Sequence, residues 1–354
     1  MNRILLLVTA FLTSVFVSYG QDSYSKRADK LHDKILSVDT HTDAPLVLCH
    51  PEKNKAAQIT AANMKAGRLD AAVFALYHGK STRDSVGRKK ALDYFLSEYD
   101  LLQKYMSHHQ DKYRLAKSSE ELLQIKEDGK SAYIIGMENG SQLGYDLANV
   151  EKFYNLGLRI ITLCHNYSND LCDSSKDEAI WGGLSDYGEK VVAEMNRLGV
   201  IVDVSHAASA TVYDCAKVSK TPIIASHSCA YAIKANSRNL KDDEMQAIAA
   251  TGGLVQVTTY TGFLSYLPKK DVGIKAICDH IEHVRKVVGI DHVGIGTDFD
   301  GGGGVANLED ASKMKNITIE LMRRGWGDSD LEKFWGGNFL RVLRQIEEYA
   351  LQNR

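Results

Sequence analysis

The chain has 354 residues, 44% of them hydrophobic and 25% charged, with a formal net charge of −2. That balance is ordinary for a globular protein, and the absence of any Lys/Arg block argues against a nucleic-acid partner. The length suits one large α/β domain or two smaller ones.

The first twenty residues stand apart. Arg3 supplies a short positive start, Ile4 to Val17 form an apolar run, and Ser18 and Gly20 are small residues placed for cleavage before Gln21. The run falls short of the ~20 apolar residues a spanning helix needs, so a cleaved signal peptide over 1–20 is expected. The remainder, 21–354, is then a single exported domain, periplasmic or extracellular. The end of the chain, RVLRQIEEYALQNR, is amphipathic and not an apolar tail, so no stable membrane anchor is expected after cleavage.

From Tyr24 to Leu36 a polar helix is expected, and a rhythm follows. Short β-rich segments recur at 37–43, 69–77, 131–139, 158–165, 199–206, 221–228, 252–258 and 291–300. Most are near-continuous apolar runs, as in strands covered on both faces. Helical periodicity fills the gaps at 119–130, 186–199, 237–253 and 274–289, each closing near a Gly that marks a helix end. The long connection 78–130 holds a further amphipathic helix over 87–106, read as an extension of the same domain. Strand and helix alternating eight times predict a (β/α)8 TIM-type barrel in one domain. An open doubly wound sheet is the alternative. It usually carries a Gly-rich turn after its first strand, and here that position reads THTDAP.

Cys49, Cys164, Cys172, Cys215, Cys229 and Cys278 show no CxxC pair, so no thiolate metal site is expected. Cys164 and Cys172 are close enough in sequence to pair across a loop, and buried free thiols fit them equally.

The strand ends carry the chemistry. The segments close on His41 and Asp43, Glu138, His165, His206, His227, and Asp298 with Asp300. Each alone has a plainer reading as a core or capping residue. In a barrel, however, these ends converge on one rim, where the active sites of the fold sit. Three His, one Asp and one Glu brought together suit zinc or a similar divalent ion, and five ligands suggest two ions sharing a carboxylate. The first segment, SVDTHTD, places Asp39, His41 and Asp43 on one face; Asp39, one layer deeper, is expected to support the site by hydrogen bonding. His108, His109, His280, His283 and His292 look structural, and His78 is a weaker candidate. The glycines of GTDFDGGGG are read as room for a substrate or a mobile rim loop.

The motifs SVDTHTD, IIGMENG, ITLCHNYSND, LGVIVDVSH, PIIASHSCAYAIKANSRNL, GGLVQV and HVGIGTDFDG, in that order, resemble the membrane (renal-type) dipeptidases, zinc peptidases of class M19. The resemblance covers about 35–345. It implies two zinc ions: His41 and Asp43 on the first, His206 and His227 on the second, and Glu138 as the bridge. It implies that His165 contacts substrate and steadies the tetrahedral oxygen, that Arg238 binds the substrate carboxylate, and that Asp298 shuttles protons. Tyr260 falls where the family has a substrate-side tyrosine. It further implies dipeptide substrates, attack by a hydroxide shared between the ions, and a homodimer. The chain departs from the family pattern at Asn139, where relatives carry Gly, and in the strand-two exit LYHGKSTRD. The competing activities are a barrel amidohydrolase acting on a lactam, an N-acyl amino acid or a phosphotriester, and a non-catalytic exported binding protein.

Overall fold

A computed structural model of the chain describes residues 23–353; the expected signal segment 1–20 lies outside them. After a helix over 23–32, the strands run β1 (Val38–Thr42), β2 (Ala71–Tyr77), β3 (Tyr113–Leu115), β4 (Ser131–Glu138), β5 (Leu158–Thr162), β6 (Ile201–Asp203), β7 (Ile223–Ser228), β8 (Leu254–Val257) and β9 (Val293–Ile295). Eight of them pair in parallel in the order β1-β2-β4-β5-β6-β7-β8-β9. A bridge from Thr42 to Phe299 returns the end of the sheet to its beginning. Asp43 N donates to Phe299 O at 2.8 Å and Asp298 N to His41 O at 3.0 Å across that seam. This is the expected barrel.

The strand absent from the sequence reading is β3. Tyr113, Arg114 and Leu115 pair with Ser131, Ala132 and Tyr133. On the same edge of β4, pairing with β5 begins only at Ile135, so a short stretch of ladder is free for β3. Three residues show no usable periodicity, which is why β3 escapes a pattern search.

The connecting helices behave as their ends dictate. Asp84, Ser118 and Ser185 each accept a first-turn N–H for the helices Ser85–Ser107, Ser119–Glu127 and Asp186–Leu198. These side chains satisfy donors that a helix start leaves unpaired. Gly199 ends the last of these at φ 88°, a backbone state open to glycine at little strain. One expected helix is corrected: 237–253 is helical only over Asp242–Ala250. Residues 237–241 form a loop instead, and this loop carries Arg238.

The final helix, Asn338–Asn353, explains its amphipathic sequence. Phe339, Val342, Leu343 and Ile346 pack with Val38, Ala71, Ile201 and Leu254 in one apolar cluster. Those four are the first residues of their strands, so the helix covers the barrel floor and leaves the opposite rim open. Truncating a buried Leu or Ile of such a cluster to Ala typically costs about 2–5 kcal/mol. All six cysteines are unpaired, and Cys164 and Cys172 are buried thiols. Among the described residues no helix is long and apolar enough to cross a membrane.

Candidate metal centre and active site

The rim collects the predicted residues because each sits at, or just past, a strand's C-terminal end. His41 lies in β1 and Asp43 one residue beyond it, Glu138 ends β4, and His227 is within β7. His165 and His206 each follow their strand by three residues. His41, Asp43, Glu138, His206 and His227 are all at most 6% exposed.

Glu138 is the centre of this group. Its Oε2 is 3.6 Å from His41 Nε2, while its Oε1 is 3.0 Å from His206 Nε2 and 3.6 Å from His227 Nε2. The two carboxylate oxygens therefore face two different donor sets. His41, Asp43 and Glu138 can converge on one ion, and Glu138, His206 and His227 on another. The residues fit such ions on two grounds. His41 Nε2 and Asp43 Oδ1 are buried with no hydrogen-bond partner, a state that costs free energy when nothing meets the atom. The mixture of imidazole nitrogen and carboxylate oxygen is the donor set preferred by zinc-like ions.

The imidazoles are held from behind. His206 Nδ1 is 3.0 Å from Asn166 Oδ1, an acceptor that fixes the proton on Nδ1 and leaves Nε2 free to bind a metal. His227 Nδ1 is 2.8 Å from Ser226 Oγ, which itself donates to Asp203 Oδ2 at 2.6 Å. Asp203 also takes the Thr162 hydroxyl at 2.6 Å and the N–H groups of Ser205 and Ser226 at 2.9 Å each. Neither Asp203 nor Asn166 was singled out in the sequence. The available signal was a carboxylate inside the apolar run VIVDV, which a buried strand does not carry without a partner. Asp39 is fully buried, as expected. It accepts from Thr297 N at 2.8 Å, Thr297 Oγ1 at 2.5 Å and His41 N at 3.3 Å. It thus ties β1 to the end of β9 through backbone and hydroxyl contacts, without touching an imidazole.

The charges balance each other only in part. Burial opposes the charged form of His41, yet Glu138 and Asp43 overcome this and raise its pKa to about 10. Burial pulls Glu138 upward, but His41 and His206 hold it well below the usual carboxylate value. Burial and the Glu138 charge push Asp43 well above its usual value. Burial raises Asp298 to about 7, against the pull of His41. Burial lowers His206 and His227 well below the usual imidazole value, so both are neutral donors at pH 7. Several carboxylates crowded into one buried volume favour bound cations.

A cavity of about 320 Å³ opens over this group, lined among others by His165, Arg238, Tyr260, Phe263, Asp298 and Lys176. Its size is at the small end of ligand sites. His165 Nε2 is 4.0 Å from Glu138 Oε1, and its ring meets Tyr77 edge-on with centroids 4.7 Å apart. Arg238 is 3% exposed; Nη2 donates to His227 O at 3.2 Å and Nε has no partner. Tyr260 stands at the mouth, its ring 4.6 Å from that of Phe263.

Other predicted positions resolve differently. Asp300 lines the cavity but accepts from Gln58 N at 2.8 Å and Ile59 N at 3.2 Å, so it anchors that segment and stays outside the metal-binding set. The glycine run is corrected in part. A Cβ on Gly301 would lie 1.8 Å from Asp43 Oδ2 and 2.6 Å from Asp298 Oδ1, so this glycine makes room for the site's own carboxylates. Gly303 N and Gly304 N are bonded to Asp298 O and Thr259 Oγ1 at 2.7 Å each, a pinned turn rather than a mobile loop. Asn139 adopts φ 93°, a region that favours Gly. Its amide donates to His78 O at 3.0 Å and Gly79 O at 2.9 Å, locking the divergent strand-two exit to the end of β4. His78 joins this junction through its backbone, its N–H donating to Glu138 O at 3.1 Å, and His280 is bonded to Ala230 N and Leu264 O.

A family model described as membrane dipeptidase (Peptidase family M19) matches residues 25–354. Dipeptidase tcpJ of Claviceps purpurea is 34% identical over 314 residues, covering 86% of this chain and 73% of that protein. Dipeptidase 3 of Rattus norvegicus is 34% identical over 327 residues, 88% of this chain; the chain spans 65% of that relative's length. The crystal structure of the probable dipeptidase PvdM from Pseudomonas aeruginosa matches with a TM-score of 0.86 at 29% identity, covering 93% of this chain and all of that one.

Proposed function

The chain belongs to the membrane dipeptidase family, Peptidase family M19, and on that premise we propose that it hydrolyses free dipeptides with two zinc ions. The observation that carries the reading is Glu138, whose two oxygens face His41 on one side and His206 with His227 on the other. His41 and Asp43 would hold one ion, His206 and His227 the second, and Glu138 both. Two such ions supply Lewis acidity toward the peptide carbonyl and an acidified water at neutral pH.

The residues around them do the rest. Arg238 is buried at the cavity wall with a free Nε–H, and it takes the substrate's C-terminal carboxylate. Such charge-assisted bonds are the strong ones, and they set the register of the peptide bond over Glu138. Asp300 lines the same cavity and, beside its two backbone bonds, keeps carboxylate lone pairs for the substrate ammonium, so the pocket matches a short zwitterion. Burial lowers the pKa of His165; the neutral ring keeps one N–H and donates it to the carbonyl oxygen as charge develops there. Asp298, raised to about 7 by burial, takes the proton of the attacking water as the C–O bond forms. It returns that proton to the amine nitrogen as the C–N bond breaks. Tyr260 closes the substrate side of the mouth.

The reading includes export, supported by the apolar run Ile4 to Val17 after Arg3, and a homodimer, as the resemblance implies. The test of the central activity is a panel of Ala-Ala, its C-terminal amide, N-acetyl-Ala and Ala-Ala-Ala. Only Ala-Ala should be cleaved rapidly, with loss in chelator and return on adding zinc. Preference for N-acetyl-Ala, or hydrolysis that survives complete metal removal, would contradict the reading.

A further inference from the structure

Lys176 has no assigned role, yet it stands at the cavity wall with its ammonium free. It lines the same cavity as Arg238 and His165. It is exposed, and among the described residues its ammonium has no ion-pair or hydrogen-bond partner. Its Nζ lies 5.8 Å from the Phe263 ring centroid, and Arg238 Cζ lies 5.3 Å from the same centroid. Both cations thus lie close to one aromatic ring.

The backbone that carries Lys176 is fixed to the rim. Ser174 Oγ donates to His165 O at 2.6 Å, and Ser175 N donates to His206 O at 2.8 Å. Asp173, just before them, accepts the N–H groups of Ile180, Gly182 and Gly183 at 2.7, 2.7 and 3.0 Å. The loop therefore holds its shape next to two site histidines. A long side chain projecting from it meets the cavity at a defined place.

A dipeptide whose α-carboxylate lies on Arg238 presents its C-terminal side chain to this same wall. Lys176 and Arg238 both lie near Phe263, which makes that stretch of wall cationic and apolar; Asp298 and Asp300 line the cavity as well. We propose that Lys176 selects dipeptides whose C-terminal residue carries an acidic side chain, pairing its ammonium with the β- or γ-carboxylate while Arg238 holds the α-carboxylate. This rests on the dipeptidase reading above. A partly solvated pair of this kind is modest in strength, so the selection is of the order of three- to fivefold and weakens with salt.

The experiment compares kcat/KM for Ala-Glu, its neutral isostere Ala-Gln, and Ala-Lys, using the zinc-loaded protein as wild type, K176R, K176M and K176E. Wild type and K176R should favour Ala-Glu over Ala-Gln by about three- to fivefold. K176M should erase that ratio while leaving Ala-Gln within about twofold of wild type, and K176E should shift preference toward Ala-Lys. An equal loss on Ala-Glu and Ala-Gln in K176M would overturn the assignment, because Lys176 would then read the α-carboxylate. No preference in wild type would overturn it too. Failure of wild type to cleave any of the three would overturn the dipeptidase reading itself, a result separable from the other two.

Discussion

Asp203 reaches His227 through a single hydroxyl: Ser226 Oγ lies 2.6 Å from the carboxylate and 2.8 Å from the imidazole Nδ1. Because the hydroxyl proton goes to Asp203, Ser226 is left to accept from His227, and Nε2 keeps its lone pair for a metal. Asp203→Asn and Ser226→Ala should each weaken zinc binding by about 10- to 100-fold. Competition against a chelator of known affinity measures this. At saturating zinc, turnover should recover to within a fewfold of wild type; unchanged affinity in both variants would refute the arrangement.

Asp298 should trade stability against catalysis. Its folded pKa is raised to about 7 by burial, above its usual value of 3.8. A carboxyl raised in the folded state favours folding fully below the usual value, and that contribution is lost as pH rises through about 7. Asn stays neutral at every pH. Metal-free Asp298→Asn should therefore melt above metal-free wild type at pH 8, with the difference vanishing near pH 4. The zinc-loaded variant should keep its metal and lose about 10²- to 10⁴-fold in kcat. Retained turnover would remove Asp298 from proton transfer.

Gly301 tests how closely the rim is packed. A methyl group there meets Asp43 Oδ2 at 1.8 Å, so Gly301→Ala must displace a carboxylate of the first metal set. Zinc per chain should fall from two toward one, with at least a tenfold loss of activity as for a disturbed ligand shell. The barrel itself should stay folded by circular dichroism.

Arg238 should govern substrate length. Replacing it with Met removes charge-assisted bonds usually worth about 1.5–3 kcal/mol, so kcat/KM for Ala-Ala should drop roughly 10- to 150-fold. The same variant should no longer distinguish Ala-Ala from its C-terminal amide. A preserved distinction would place the carboxylate elsewhere.

Much of this site was legible because barrel topology does the assembling. Once eight strands are recognised, His41, Glu138, His206 and His227 need only lie at strand ends to become neighbours. Asp39 was legible as well, since strand alternation puts it on the face of His41 and Asp43. What the sequence hid were partnerships that depend on depth and side-chain direction. Nothing local says that Asp203 finds Ser226, or that Asn166 backs His206 rather than capping a turn. Asn139 looked like a departure from a glycine; its φ of 93° and its grip on His78 and Gly79 emerge only when the backbone is traced. Arg238 was matched by motif, but the periodicity of 237–253 put it in a helix, whereas the chain needs a loop there to bring the guanidinium to the cavity.

The most direct measurement is zinc titration of the metal-free protein, reading bound zinc per chain and Ala-Ala hydrolysis together. Two ions per chain, with full hydrolysis reached only as the second is bound, is the result predicted by a Glu138 carboxylate shared between His41 and the His206–His227 pair. Full hydrolysis at one zinc per chain, with no second ion bound, would contradict it.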